Sequence, residues 1–258
     1  PPIVTMFSPA AATIGASVTI TGTNFSAIAS NNLVRFGVVK ATVSAASTTN
    51  LTVTVPPGAG YGPISVTANS LTAFSPASFI PTFLNSTGVF DSTAFAAKVD
   101  FTTGTNPYDV AIGDLDGDGK PDLAVVNRNG PSVSVYRNLT PAGYIGPASF
   151  AAKVDFTVAS APHTVAIGDL DGDGKLDLAV AGGGIVSVLR NTSTSASLSS
   201  NSFAAKVEFA TEASTSTNPD DVAIGDVDGD GKPDLVVANN LPNTGSSTVS
   251  VLRNTGTS

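Results

Sequence analysis

Over its first eighty or so residues the chain alternates apolar side chains with small or hydroxylated ones, in runs such as "SVTITGTNF", "LVRFG", "LTVTVPPG" and "GPISVTA", separated by Gly, Pro and Asn breaks. A period of two is that of a strand with one buried face. The spacing of the breaks predicts a β-sandwich of about seven strands over residues 1–82. From residue 83 onward the pattern becomes a repeat. "AFAAKVDF" at 94 returns as "SFAAKVDF" at 149 and "SFAAKVEF" at 202, and "VAIGDLDGDGKPDLAV" at 110 returns at 165 and 222 with few changes. "VSVYRN" at 133 returns as "VSVLRN" at 186 and 249. Each unit reads strand, acidic loop, strand, turn, strand, variable loop, strand, and four strands per repeat is the pattern of a propeller blade.

The expected fold is therefore all-β, an N-terminal sandwich followed over 83–258 by three four-stranded propeller-type blades. The first blade is expected at 108–156 and the second at 163–209, each ending in its "FAAKV" strand. The third stops at "VSVLRNTGTS" with no outer strand, while an unused "AFAAKVDF" at 94–101 precedes the first, itself preceded by "TFLNSTG" at 82–88, a weak echo of "SVLRNTG". Ring closure takes about four or more blades. An open arc with bare strand edges and apolar faces is expected, and such surfaces attract partners.

The acidic loops carry the candidate chemistry. Counting Asp114 as position one, Asp116, Asp118 and Asp122 fall at positions three, five and nine, with Gly119 at six and Lys120 at seven. Alternate oxygen ligands converge on one point, the glycine permits the sharp turn, and the position-seven backbone carbonyl completes a shell for a hard cation. The second copy places Asp169, Asp171, Asp173, Lys175 and Asp177 in the same register, and the third Asp226, Asp228, Asp230, Lys232 and Asp234. Twelve of the twenty acidic residues thus sit in three loops, where mutual repulsion opposes folding unless a cation neutralises it. The expected cofactor is Ca²⁺, about three ions, one per repeat. Turn aspartates bonding their own backbone are the plainer alternative, although turn chemistry asks for one or two such residues rather than a full liganding set three times over.

Residues 94–254 resemble the FG-GAP or VCBS repeat family, integrin-α-like propeller blades whose first hairpin carries an Asp-x-Asp-x-Asp-Gly-x-x-Asp calcium loop. Leu176, where the other copies have Pro121 and Pro233, is the one departure inside the motif. Family members typically close a ring of about seven blades, and this chain has three. Residues 1–82 resemble the IPT/TIG family of immunoglobulin-like domains at Ser8-Pro9, Gly15, "TITGTNF", Phe36-Gly37, Val55-Pro56 and Gly62-Pro63. That resemblance implies a spacer or binding module rather than an enzyme.

Composition narrows the function classes. A formal charge of −8 with scattered Lys and Arg argues against nucleic acid or an anionic membrane surface as partner. Cysteine is absent, which removes disulfides, thiolate metal sites and a cysteine nucleophile. No run is long enough to span a bilayer. With 29 serines and 30 threonines, the chain favours strands and turns over helices. Extracellular calcium is millimolar, enough to fill modest sites, so the expectation is a secreted or cell-surface protein, bacterial in character and non-enzymatic. It is expected to assemble head to tail as a homo-oligomer or homopolymer by completing its strand or blade face; a fragment of a longer propeller and a compact three-blade stack with a bare edge are the alternatives to self-assembly.

The main alternative is an adhesin or carbohydrate-binding module contacting a glycan or surface protein through loops 127–132, 139–148, 181–185 and 239–248. An accessory region of a hydrolase comes next, although none of Asp100, Asp109, Asp155, Glu208, Glu212 or Asp221 is singled out as a catalytic pair. His163, the only histidine, is expected in a surface loop, because its counterparts are Tyr108 and Asp220. Asn-x-Ser/Thr triplets occur at Asn24, Asn50, Asn85, Asn138 and Asn191, about as often as chance gives. The hydroxyl-rich stretch 192–202 is expected to be a flexible inter-strand loop.

Overall fold

The computed structural model describes residues 1–83, 91–141, 143–194, 196–211, 218–240 and 247–256. It is all-β, with one 3-10 turn at Ala29–Asn31. The first eight strands are β1 (Ile3–Ser8), β2 (Ala11–Thr13), β3 (Ser17–Thr23), β4 (Asn32–Phe36), β5 (Val39–Ala46), β6 (Asn50–Thr54), β7 (Gly62–Ala68) and β8 (Leu71–Thr82). They form one sheet in the order β1-β3-β6-β5-β4-β7-β8-β2, antiparallel except for the β2–β8 pair. The alternation in the sequence sets the register: Val18, Ile20, Leu51, Val53, Ile64 and Val66 are fully buried, and Phe36 and Phe79 meet edge to face at 4.7 Å across the same core.

Three small sheets follow. The first runs β9 (Pro107–Gly113), β10 (Asp122–Asn127), β11 (Ser132–Tyr136), β12 (Val154–Thr157), and the second β13 (Pro162–Gly168), β14 (Asp177–Gly182), β15 (Ile185–Leu189), β16 (Val207–Ala210). The third contains β17 (Asn218–Gly225), β18 (Asp234–Asn240) and β19 (Thr248–Leu252), with no fourth strand among the described residues. All pairings within them are antiparallel and keep the same register in every copy, so Val133 lies opposite Phe156 as Val186 lies opposite Phe209.

Each sheet buries one face on the next. Ala124, Val126, Val133 and Val135 of the first are sealed in one core with Val165, Leu178 and Val180 of the second. Ala179, Ala181 and Val186 of the second share a core with Val222, Leu235 and Val237 of the third. Glycine permits this close approach: a Cβ on Gly113 would press Ile167 at 3.1 Å, and one on Gly168 would press Ile224 at 3.0 Å.

Several expectations need correction. The "FAAKV" strands begin only at their valines; Phe150 and Phe203 make isolated bridges to Asn138 and Asn191, and the residues between belong to no strand, although the Ala151 and Ala204 amides donate to the Arg137 and Arg190 carbonyls. Residues 94–101 are in no sheet. His163 lies on β13, is 7% exposed and packs its ring 4.9 Å from that of Tyr108, because Tyr108, covered in turn by Arg128, shields it from water. Residues 181–185 are not an open contact loop. Gly183 and Gly184, both at positive φ, close a tight and largely buried β14–β15 hairpin, where a Cβ on Gly183 would meet the Ser160 carbonyl at 2.8 Å. Parts of 82–88, 139–148, 192–202 and 239–248, with Asn85 and Glu212, lie outside the described residues. Among the described residues, no helix is long and apolar enough to cross a membrane.

Candidate metal centres

Each acidic loop joins the first two strands of its sheet, where the Asp-Gly pairs turn the chain with glycine at positive φ: Gly117 and Gly119, Gly172 and Gly174, Gly229 and Gly231. The turn brings ligand atoms of three carboxylates within 4.8 Å of one another in every copy: Asp114, Asp116 and Asp122; Asp169, Asp171 and Asp177; Asp226, Asp228 and Asp230. Position one is fixed by the loop's own amides. Gly119 N–H donates to Asp114 Oδ2 at 3.1 Å, Gly174 N–H to Asp169 Oδ2 at 3.0 Å and Gly231 N–H to Asp226 Oδ2 at 2.9 Å. The position-seven amides of Lys120, Lys175 and Lys232 donate back to Asp118, Asp173 and Asp230, each at 2.9 Å.

Position nine does more than face the cluster. Asp122 accepts the amides of Leu115 (2.9 Å) and Asn138 (2.7 Å), Asp177 those of Leu170 and Asn191, and Asp234 those of Val227 and Asn254. This carboxylate pins the loop's start to the exit of the sheet's third strand. Burial raises the Asp122 and Asp177 carboxyls to about 7, against the pull of those amides, and it also raises Asp114 and Asp169.

Two residue types missed from the sequence complete the site. Arg137, Arg190 and Arg253 each reach from the end of the third strand to positions three and five of their loop: Arg137 to Asp116 (2.5 Å) and Asp118 (3.1 Å), Arg190 to Asp171 (2.6 Å) and Asp173 (3.5 Å), and Arg253 to Asp228 and Asp230. The asparagine that follows clamps two carbonyls. Asn191 Nδ2 donates to Leu176 O of its own sheet and to Leu115 O of the preceding loop, both at 2.8 Å. Asn254 does the same for Pro233 O and Leu170 O. The repeated Arg-Asn after "VSV" was the available signal. Asn138 and Asn191 are buried, their amides engaged, so neither is open to glycosylation.

The N-terminal sheet rests on the second and third of these loops. Arg35 of β4, 7% exposed, donates from Nη2 to Gly174 O at 2.6 Å and brings Nη1 to 3.7 Å from Asp169 Oδ2. Thr72 N–H donates to Gly231 O at 2.8 Å.

The residues fit a hard divalent cation. The donors are all oxygen, the carboxylates converge, and Asp114 Oδ1 is buried with no hydrogen-bond donor, although the Gly172 and Gly229 amides serve the matching oxygens of Asp169 and Asp226. A buried acceptor left without a donor costs about 1–3 kcal/mol, and a cation would remove that deficit. When bound, the ion supplies the positive charge that lets clustered carboxylates remain ionised away from water.

Comparison with known proteins agrees with the motifs. The IPT/TIG domain model matches residues 2–80. Among solved structures, the chain is similar to a structural-genomics protein of unknown function from Bacteroides thetaiotaomicron (13% identity, 96% of this chain and 59% of that one, TM-score 0.34). It is also similar to auxiliary nutrient binding proteins from the same organism (13%, 97% and 70%, 0.31) and from Bacteroides ovatus (13%, 96% and 85%, 0.29). The chain thus spans 59% of the length of the first of these. A search of curated proteins finds no match. The model of the FG-GAP-like repeat matches residues 81–125, 114–180 and 169–237, together more than half of the chain, and the protein belongs to the FG-GAP-like repeat family.

Proposed function

We propose that the protein is an extracellular, calcium-binding structural component that associates head to tail with copies of itself. In this reading the N-terminal sheet is an immunoglobulin-like sandwich, and the three small sheets are propeller-type blades standing in an open arc. Each acidic loop takes one Ca²⁺ through the carboxylates at positions one, three, five and nine and the position-seven carbonyl, which would bring the formal charge from −8 to −2. Millimolar calcium outside cells suits sites of this kind.

One observation supports self-association above all others. The face that buries Val133 and Val135 on the second sheet, and Val186 on the third, recurs on the third sheet as Val249 and Val251, which are 66% and 56% exposed. The opposite face, buried as Val165 and Val222, is bare on the first sheet, where Val110 and Ile112 are 54% and 55% exposed. Each end of the arc therefore shows the surface that the other end's equivalents cover. Two unlike patches that match generate an open, non-closing assembly.

Static light scattering of the purified chain over a concentration series, with millimolar CaCl₂ or with EGTA, tests both halves of the reading. We expect mass to rise with concentration in calcium, and melting temperature to fall by well over 5 °C in EGTA. A strictly monomeric species at high concentration in calcium overturns self-association, and an unchanged melting temperature overturns the metal assignment.

A further inference from the structure

We infer that Arg137, Arg190 and Arg253 set how tightly the acidic loops hold their ions, each weakening the site of its own loop by keeping a positive charge on two of the liganding carboxylates. This rests on the calcium reading and specifies the residues that tune it.

The bonding at positions three and five is the same in all three copies and leaves no carboxylate oxygen there unclaimed. Asp116 Oδ1 accepts the Asp118 amide at 3.1 Å, and its Oδ2 accepts Arg137 Nε at 2.5 Å. Asp118 Oδ1 accepts the Lys120 amide at 2.9 Å, and its Oδ2 accepts Arg137 Nη2 at 3.1 Å. In the second loop the amides of Asp173 and Lys175 donate to the Oδ1 atoms of Asp171 and Asp173, at 3.0 and 2.9 Å, and Arg190 faces both Oδ2 atoms. In the third the amides of Asp230 and Lys232 donate to the Oδ1 atoms of Asp228 and Asp230, and Arg253 holds both Oδ2 atoms. An ion that draws on these two positions therefore shares each oxygen with an amide or a guanidinium.

A guanidinium in this place has two opposite effects, and the geometry decides between them. It orients the carboxylates, which favours the ion, and it repels the ion by charge. Ligand charge and site rigidity are what tune calcium affinity in such loops. Rigidity at positions three and five already comes from the loop's own amides, so the arginine adds little of it. Its charge, by contrast, offsets one of the four carboxylates that each loop supplies. The repulsion is graded by exposure. The Arg137 side chain is 24% exposed and lies over a fully buried Asp116, whereas those of Arg190 and Arg253 are 57% and 59% exposed. Water screens the second and third pairs more than the first. In the second loop Arg190 is also the lesser of two cations, since the buried Arg35 brings Nη1 to 3.7 Å from Asp169 Oδ2. The strongest tuning therefore falls on the first loop, through Arg137.

Isothermal titration calorimetry of the full chain with CaCl₂ tests this, wild type against Arg137→Gln, Arg190→Gln and Arg253→Gln. The control is Arg128→Gln, which removes the same charge from over the Tyr108 ring, at the opposite end of β10 from the acidic loop. We expect calcium Kd at the affected site to tighten about tenfold in Arg137→Gln and about two- to threefold in the other two, with Arg128→Gln unchanged. Raising KCl should shrink the gain of the two exposed variants first. Melting in EGTA is the second readout. Each of the three variants should melt below wild type there, because its carboxylates lose a neutralising charge, and the deficit should vanish in saturating calcium. Arg190 and Arg253 are exposed, so their variants keep the test open if Arg137→Gln fails to fold. Weaker or unchanged calcium binding in the folded variants shows that the guanidinium braces the ligands, and the inference falls with the calcium reading intact. Equal tightening by Arg128→Gln assigns the gain to net charge and overturns it too. A wild-type chain that takes up no calcium overturns the calcium reading itself.

Discussion

The second and third repeat sheets have nearly the same sequence and very different surroundings. Val186 and Val249 occupy one position of "VSVLRN", yet the first is 0% and the second 66% exposed. Hydrophobic patterning specifies which face a residue takes, while burial depends on whether a neighbour is there to cover it. The second sheet is packed on both faces and its outer strand is paired; among the described residues the third is covered on one face and open along β19. The acidic loops follow the same gradient. Of the carboxylates at positions one, three and nine, all are buried in the first loop, Asp171 is exposed in the second, and only Asp234 is buried in the third.

Metal removal should sharpen this contrast most. A site filled at a hundredfold excess over its Kd contributes about 2.7 kcal/mol, and three such sites exceed the margin of many domains. In EGTA, hydrogen exchange should release β17–β19 amides before those of β13–β15; simultaneous release would break the comparison. The metal-free chain should also lose stability as pH rises from about 4 to about 7. Asp122 and Asp177 stay protonated up to about 7 when folded, whereas their unfolded forms ionise near 3.9, so in this window the folded state binds more protons and alkali favours unfolding. Melting temperature against pH in EGTA measures it, and calcium should reverse the slope.

Next in size is one substitution made twice. Val186→Asp places an unpaired carboxylate in a sealed core and should destabilise by about 3–5 kcal/mol or prevent folding. Val249→Asp should change the urea midpoint of the dilute protein by less than about 0.5 kcal/mol while abolishing the mass increase in calcium. Equal destabilisation by both would show that β19 is already covered. The smallest contrast lies in the clamps. Asn191→Ala strands two buried carbonyls and should cost about 1–3 kcal/mol, and Asn138→Ala, with one, about half as much; urea melts of the two variants decide it.

Much of this was legible in the residues. Three identical registers located the acidic loops and the order of strands, because ligand spacing and strand period are local properties. What escaped was non-local or ambiguous. His163 read as exposed because its cover, Tyr108, is its own repeat counterpart 55 positions away. An aspartate at position nine looks alike as ligand and as acceptor of two amides, and only the fold shows that Asp122, which faces the cluster, also accepts those amides. Arg137, Arg190 and Arg253 marked the repeat without disclosing that they lean on Asp116, Asp171 and Asp228. The segment 94–101 read as a strand from its sequence, but a strand needs a neighbour to pair with, and among the described residues none pairs with it.

Arg35 has a consequence for anyone trimming the molecule. Its guanidinium reaches 139 residues along the chain to the Gly174 carbonyl and approaches Asp169, so the N-terminal unit donates a fixed positive charge to the second repeat. Excising residues 1–80 would leave that loop more negative and its glycine carbonyl bare. Ion affinities measured on the shortened protein would then be too tight at one position of three, and the two halves should be titrated as a single piece.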